Sequence, residues 1–331
     1  MKILHSVNMI GGLALAVALT AGTVSAEAKP LELKFGHVGA PGSLFDLSAK
    51  EFAKRVNEKM KGEAKVLVFG SSQLGKDQEL LKKLKLGTVT FSLPSTVMSS
   101  VSDEFGVFEM PYIVKDRDHA KKLVKPVIMG KLQKRAKGKG YRIIAVWENG
   151  FRHITNNVRP INTPADLKGI KLRTPKGKWR VKMFKEYGAN PSPLSFSEVF
   201  TALKTGTFDG QENPFAQIHS AKFQEVQKYL SLTNHVYTPA YVLVGAKHWA
   251  KLPKKVTQAI EKIAKETSSY VYDTADKLEK DLLAKLKGKM KVNTADREAF
   301  VKASKPIYDE FVTRVNGGYG LVNQVEKLGK M

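Results

Sequence analysis

Residues 64–95, "AKVLVFGSSQLGKDQELLKKLKLGTVTFSLPS", decide the fold class. The run 64–70 is apolar and β-branched and reads as a strand. "GSSQLG" (70–75) is the turn that leaves it. "DQELLKKLKLG" (77–87) has leucines at helical spacing, and Gly87 closes that helix. "TVTFSLPS" (88–95) returns to strand. Upstream, "LELKFGHV" (31–38) alternates Leu31, Leu33 and Phe35 as a strand. "SLFDLSAKEFAKRVNEKM" (43–60) then has helical periodicity, with Ser43 as its N-cap. Strand–helix alternation of this kind predicts an α/β fold with a largely parallel sheet.

The pattern recurs downstream. "YRIIAVWENG" (141–150) and "GIKLRTP" (169–175) read as strands, and "KWRVKMFKEYGA" (178–189) as a helix ending at Gly188. In "GIKLRTP", Ile170 and Leu172 point one way and Lys171 and Arg173 the other. "SFSEVFTALKTGTFDG" (195–210) opens with a capping-box spacing, Ser195 and Glu198. The echo of Leu84-Lys85-Leu86-Gly87-Thr88 in Leu203-Lys204-Thr205-Gly206-Thr207 suggests two α/β domains on one plan. From Pro253 to about Lys287, apolar residues at helical spacing predict a long amphipathic helix, with a break or without. About 30 residues would reach ~45 Å, enough to lie across two domains. Residues 296–317 read as one further helix.

Composition sets limits. The 331 residues are 42% hydrophobic and 26% charged, ordinary for a globular chain of two domains. Residues 1–26 read as a secretory signal peptide: Lys2, an apolar stretch from Val7 to Leu19, then small residues around Ala26 and Ala28. The mature chain then starts near Glu27 or Lys29 and works outside the cytoplasm. No later apolar run approaches the ~20 residues that span a bilayer. The absence of cysteine excludes disulfides, thiolate catalysis, Cys-ligated metals and a lipidated N-terminal cysteine. The net charge of +24 fits nucleic acid, a membrane surface or small anions. Its lysines are spread over helices (Lys82, Lys83, Lys85; Lys121, Lys122, Lys125; Lys254, Lys255) as solvated faces, and an exported chain meets little nucleic acid.

Catalytic and metal motifs are missing. No histidine pair has the i, i+4 spacing of a zinc helix, and there is neither a G-x-S-x-G elbow nor a phosphate loop. The expectation is a non-enzyme without metal or cofactor. Polar residues instead gather at the C-terminal ends of strands, where open α/β sheets bind ligands. These are Glu148, Asn149 and Arg152 in "WENGFRHITN" (147–156), Arg173, Phe196 after "NPSPLS", and Gln211, Glu212 and Asn213 in "FDGQENP" (208–214). Two arginines and an asparagine suit a carboxylate, since the guanidinium fork matches its two oxygens.

"SSQLGKDQELLKKLKLGT", "FRHITNNVRPINTPADLKGIKLRTP" and "GANPSPLSFSEVFTALKTGTFDGQENP" resemble the substrate-binding proteins of TRAP (tripartite ATP-independent periplasmic) transporters, the DctP family. The resemblance covers the mature chain. It implies an α/β, two-domain periplasmic binding protein fold with an interdomain ligand cleft and a long domain-spanning helix. The boundaries expected are 27–149 plus 238–277 for the first domain and 150–237 plus 278–331 for the second. The resemblance assigns the ligand carboxylate to Arg173, with Arg152, Asn213, Phe196 and Asp77 around it. Glu148, His37 and Ser95 complete the candidate set. Sialic-acid-binding members carry an asparagine where this chain has Val38 and a glutamate where it has Ser95, which disfavours sialic acid here. The expected ligand is a C4-dicarboxylate such as succinate, malate or fumarate, or in the alternative a sugar acid. Glu148, if it faces the cleft, would oppose a second carboxylate and favour hydroxyls. The expected partners are the small and large integral-membrane permease subunits, and the expected state is a monomer. A secreted sensor or enzyme for acidic substrates is the rival reading.

Overall fold

The computed structural model describes residues 29–331. The expected signal peptide, residues 1–26, lies outside them. Among the described residues, the strands are β1 Leu31–Gly36, β2 Ala64–Phe69, β3 Phe91–Ser92, β4 Tyr141–Phe151, β5 His153–Asn156, β6 Lys171–Thr174, β7 Asn190–Pro193, β8 Gly210–Asn213, β9 Tyr229–Leu232, β10 Tyr237–Gly245 and β11 Lys291–Thr294. They form two sheets, ordered β2-β1-β3-β10-β4 and β11-β9-β5-β8-β6-β7.

Two α/β domains result, but each sheet is mixed rather than largely parallel. β1, β2 and β3 are parallel, whereas β10 runs antiparallel to β3 and β4. In the second sheet β5 runs antiparallel to β8 and β9. The reversals have one cause: the chain crosses between sheets twice. β4 leads through Arg152 into β5, and β9 leads through residues 233–236 into β10, so the two crossings run in opposite directions side by side.

Local signals set several boundaries. Ser43 caps the helix Leu44–Lys59 by accepting a hydrogen bond from the Asp46 N–H at 3.2 Å. Gly87 ends the helix Asp77–Leu86 in the left-handed conformation, φ 77°. Elsewhere packing overrode them. The expected strand 88–95 contracts to β3, because Pro94 has no N–H to give and a tight helical turn begins at Thr96. The capping box at Ser195 is only half made: Ser195 is the N-cap and Glu198 reaches back to it while pairing with Lys76 at 2.9 Å, but the Ser195 side chain makes no cap hydrogen bond, and the α-helix is only Val199–Lys204. The helix expected over 296–317 divides into Arg297–Ala303 and Lys305–Arg314 at Pro306, followed by Gly318–Leu328. That last helix, expected with the second domain, packs back onto Asp103–Glu109 and Arg117–Leu123. There the His119 ring lies 2.8 Å from the Val325 carbonyl through Nε2.

The long helix is unbroken, Lys254–Lys287, 34 residues and so about 50 Å. Its first half lies on β4 and the helix Leu44–Lys59; its second half meets the short helix Phe215–Ser220 of the other domain. Trp147 fastens it, donating its indole N–H to the Ala264 carbonyl at 3.0 Å. Around Trp147 sit Phe35 and Phe52, with ring centroids 6.1 and 5.8 Å away. Because Phe52 is fully buried, Phe52→Ala should cost about 3–5 kcal/mol in urea unfolding. A loss below about 1 kcal/mol would show that this cluster does not anchor the first domain.

Candidate functional site

The twin crossings leave a cavity of about 50 Å³ between the sheets. At 10–15 Å³ per water, that is room for about three to five waters. Arg173, Arg152, Asn213, Phe196, Asp77 and Ser95 all line it. A wider groove of about 420 Å³ leads off past Asp77 and Arg173 to the surface. Around the rim, pairs join the two domains: Lys76 with Glu198 at 2.9 Å, Lys176 donating to Gln78 at 3.1 Å, and Lys178 with Asp103.

Arg173 stands out by its charge. Its alternation within β6 turns Leu172 into the core and Arg173 toward the cavity, where it is only 2% exposed. Its Nε and one Nη donate to the Leu194 carbonyl at 2.8 and 2.5 Å. Among the described residues no carboxylate pairs with it. Burial therefore pushes its pKa down to about 9, with Glu212 and Asp77 pulling it back up from a distance. It remains a cation at neutral pH, buried and with no carboxylate partner among the described residues. Asp77 opens the helix Asp77–Leu86 on the opposite wall. Burial pushes its carboxyl up to about 6, partly offset by Arg173.

Arg152 is in a different situation. Its guanidinium donates through Nε to Glu212 Oε2 at 2.5 Å, and through Nη2 to Glu212 Oε1 at 2.9 Å and Asn213 Oδ1 at 3.0 Å. Arg180 donates to Glu212 Oε2 at 2.7 Å. Burial alone would raise the Glu212 carboxyl, but Arg152 and Arg180 outweigh it and hold it well below the ordinary range. His235 also reaches Glu212 Oε2, at 3.1 Å. Burial outweighs that contact and lowers the imidazole to about 4, so it is neutral and donates its Nε2–H to Glu212. Its Nδ1 then accepts from the Thr233 hydroxyl at 2.8 Å. Arg152 and His235 stand on the two crossing segments, with Glu212 in β8 between them.

Uncharged groups complete the wall. Asn149 donates to Thr238 Oγ1 at 3.2 Å and to Ser95 Oγ at 3.3 Å, and Ser95 donates to the Pro239 carbonyl at 2.7 Å. Asn213 donates to Gln211 Oε1 at 2.5 Å. Gln217 and Thr96 also line the cavity and escaped sequence reasoning. Gln217 had a usable signal, one helical turn beyond Asn213; Thr96 had none.

Two candidates do not reach the cavity. Glu148 points to the far side of β4, where Arg117 grips it with Nη2 at 2.8 Å and Nε at 3.0 Å. Its neighbour Asn149 takes the cavity side, as strand alternation requires. The same parity puts Val38 in the cavity wall and turns His37 away to pack beside Gly70. Burial lowers His37 to about 4, so it is a neutral ring.

Known proteins resemble this one in sequence and in shape. The family model for bacterial extracellular solute-binding protein, family 7 (DctP) matches residues 35–314. The 2,3-diketo-L-gulonate-binding periplasmic protein YiaO of Escherichia coli is 34% identical, the match covering 89% of this chain and 92% of that protein. The sugar acid binding protein DctPAm of Advenella mimigardefordensis, solved with galactonate, superposes with a TM-score of 0.87 at 34% identity, over 91% of this chain and 98% of that one. A TRAP periplasmic solute-binding protein of Sulfurospirillum deleyianum, solved with succinate, gives 0.86 at 34% identity, over 91% and 100%. With its two mixed sheets, spanning helix and interdomain cavity, the chain belongs to the DctP family of extracellular solute-binding proteins that serve TRAP transporters.

Proposed function

We propose that the protein captures a small organic acid in the interdomain cavity and delivers it, unreacted, to the small and large membrane subunits of a TRAP permease. The observation that carries this reading is Arg173: a buried guanidinium whose donors reach only a carbonyl and which lacks a carboxylate partner among the described residues. A ligand carboxylate supplies the missing charge and accepts the guanidinium fork. Asp77, Arg152, Asn213, Phe196 and Ser95 surround that carboxylate in this reading. The domains divide near Arg152 and residues 233–236, and export by the N-terminal signal places the chain in the periplasm.

The rest of the ligand meets uncharged groups in this reading, Asn149, Thr96 and Gln217. Such groups pair with hydroxyls, which supports a hydroxylated monocarboxylate of the sugar-acid type. A C4-dicarboxylate is supported no less. It gains support because Glu148 is turned away and opposes nothing, and because Arg152 also lines the cavity.

Calorimetry against a panel of both acid types should find one class bound, and recovered chemically unchanged. Arg173→Ala should weaken the best ligand by at least about thirtyfold, the equivalent of 2 kcal/mol or more, while the variant stays folded. Arg173→Lys should recover part of that loss, because it keeps the charge without the fork. Unaltered affinity in Arg173→Ala would refute the assignment.

Glu212→Gln should lower stability by about 3–5 kcal/mol in thermal or urea unfolding, because Arg152 and Arg180 lose their shared counter-charge. A neutral effect would mean the carboxylate is not what holds these arginines.

Binding should also depend on pH through Asp77, which titrates near 6 before ligand arrives. A ligand anion beside it raises that pKa further, so binding takes up a proton. Affinity should rise as pH falls from about 8 toward 5.5, until the ligand's own carboxyl protonates. Asp77→Asn should flatten that profile. An unchanged slope in Asp77→Asn would assign the proton to another group.

A further inference from the structure

Three stretches of the sequence carry no Asp or Glu: 80–102, 119–147 and 226–260. The fold brings parts of all three together at the end of the first domain where the helix Asp77–Leu86 stops. Ala246 donates its N–H to the Gly140 carbonyl at 3.0 Å, and Tyr141 donates its hydroxyl to the Leu81 carbonyl at 3.2 Å. A Cβ on Gly87 would lie 2.3 Å from the His248 ring, and one on Gly140 would lie 3.6 Å from Lys85. Five exposed lysines therefore share this pole: Lys85, Lys137, Lys139, Lys247 and Lys251. Among the described residues none of the five is ion-paired. Nearby acids are engaged elsewhere: Glu261 with Arg142 at 2.8 Å and with the Trp249 indole at 2.9 Å, Glu63 with Lys255 at 2.8 Å, and Glu104 with Arg135 at 2.9 Å. Glu79, nearer the cavity, accepts from the Lys76 N–H at 3.2 Å. Beside Lys85, Leu86 is 68% exposed, an apolar side chain left in water among these cations.

We propose that this pole docks the protein on an anionic phospholipid bilayer. Lysines on long flexible stems suit phosphate headgroups that can rearrange beneath them, and each one near an anionic surface adds to the attraction. Exposed Leu86 enters the interface between headgroups and acyl chains. Asp77, which lines the cavity, begins the helix that Leu86 ends, so the docked pole lies about 14 Å along that helix from the ligand. The cleft stays free while the protein is held beside the membrane. The diffuse cationic pole favours a bilayer over an acidic protein partner, which would need fixed, shape-matched contacts.

The test is co-sedimentation with vesicles of phosphatidylethanolamine and phosphatidylglycerol, against vesicles of phosphatidylcholine alone. Lys→Gln at all five pole positions is compared with Lys→Gln at Lys185, Lys204, Lys289, Lys302 and Lys327, which removes equal charge elsewhere. The wild type should bind the phosphatidylglycerol vesicles, release in high salt and ignore phosphatidylcholine. The pole variant should bind at least about tenfold more weakly, the control within about twofold of wild type, and both should keep carboxylate affinity. Equal loss in the control, no loss in the pole variant, or wild type that ignores the phosphatidylglycerol vesicles at low salt would overturn the proposal. The last outcome would leave the pole to an acidic protein surface.

Discussion

The carboxylate of Glu212 is the pivot of the structure. It is buried, it is ionised, and it is shared by Arg152, Arg180 and His235. Such a group is costly unless every partner stays in place. Arg152 and His235 sit on the two segments where the chain passes between the sheets, so the same contacts fix those crossings relative to β8. The cavity forms against this network, and Arg173, in the strand next to β8, completes its charged wall.

The network also explains a division of labour between two arginines that look alike in sequence. Arg152 is neutralised from within, by a carboxylate sixty residues away in the chain. Arg173 is not. In the proposed reading, a cleft with one guanidinium paired to a carboxylate and one without such a partner is suited to one anionic group, and Asp77 on the facing wall would make its binding depend on pH. The family relationship establishes solute binding as the task, and this charge imbalance is what supports placing the solute's acid group at Arg173.

How much of this was legible in the sequence depended on the range of the interaction. Ser43 and Gly87 declared their helix ends because a cap needs only its own turn. The outward face of Arg173 followed from alternation over four residues. Pro306 could have divided the C-terminal helix on sight, and the apolar periodicity around it masked that signal. Glu148 and His37 failed on parity: each lies one residue from a true cavity residue, and a strand sends neighbours to opposite faces. The mixed sheets, the engagement of Arg152 by Glu212 and the capture of Glu198 by Lys76 were not legible, since each joins parts of the chain far apart in sequence.

The most direct measurement is a crystal structure of the protein grown with the acid that binds it best. The ligand carboxylate should lie within about 2.7–2.9 Å of the Arg173 guanidinium, with Arg152 still holding Glu212. A carboxylate seated elsewhere in the cleft, leaving Arg173 on the Leu194 carbonyl alone, would contradict the account.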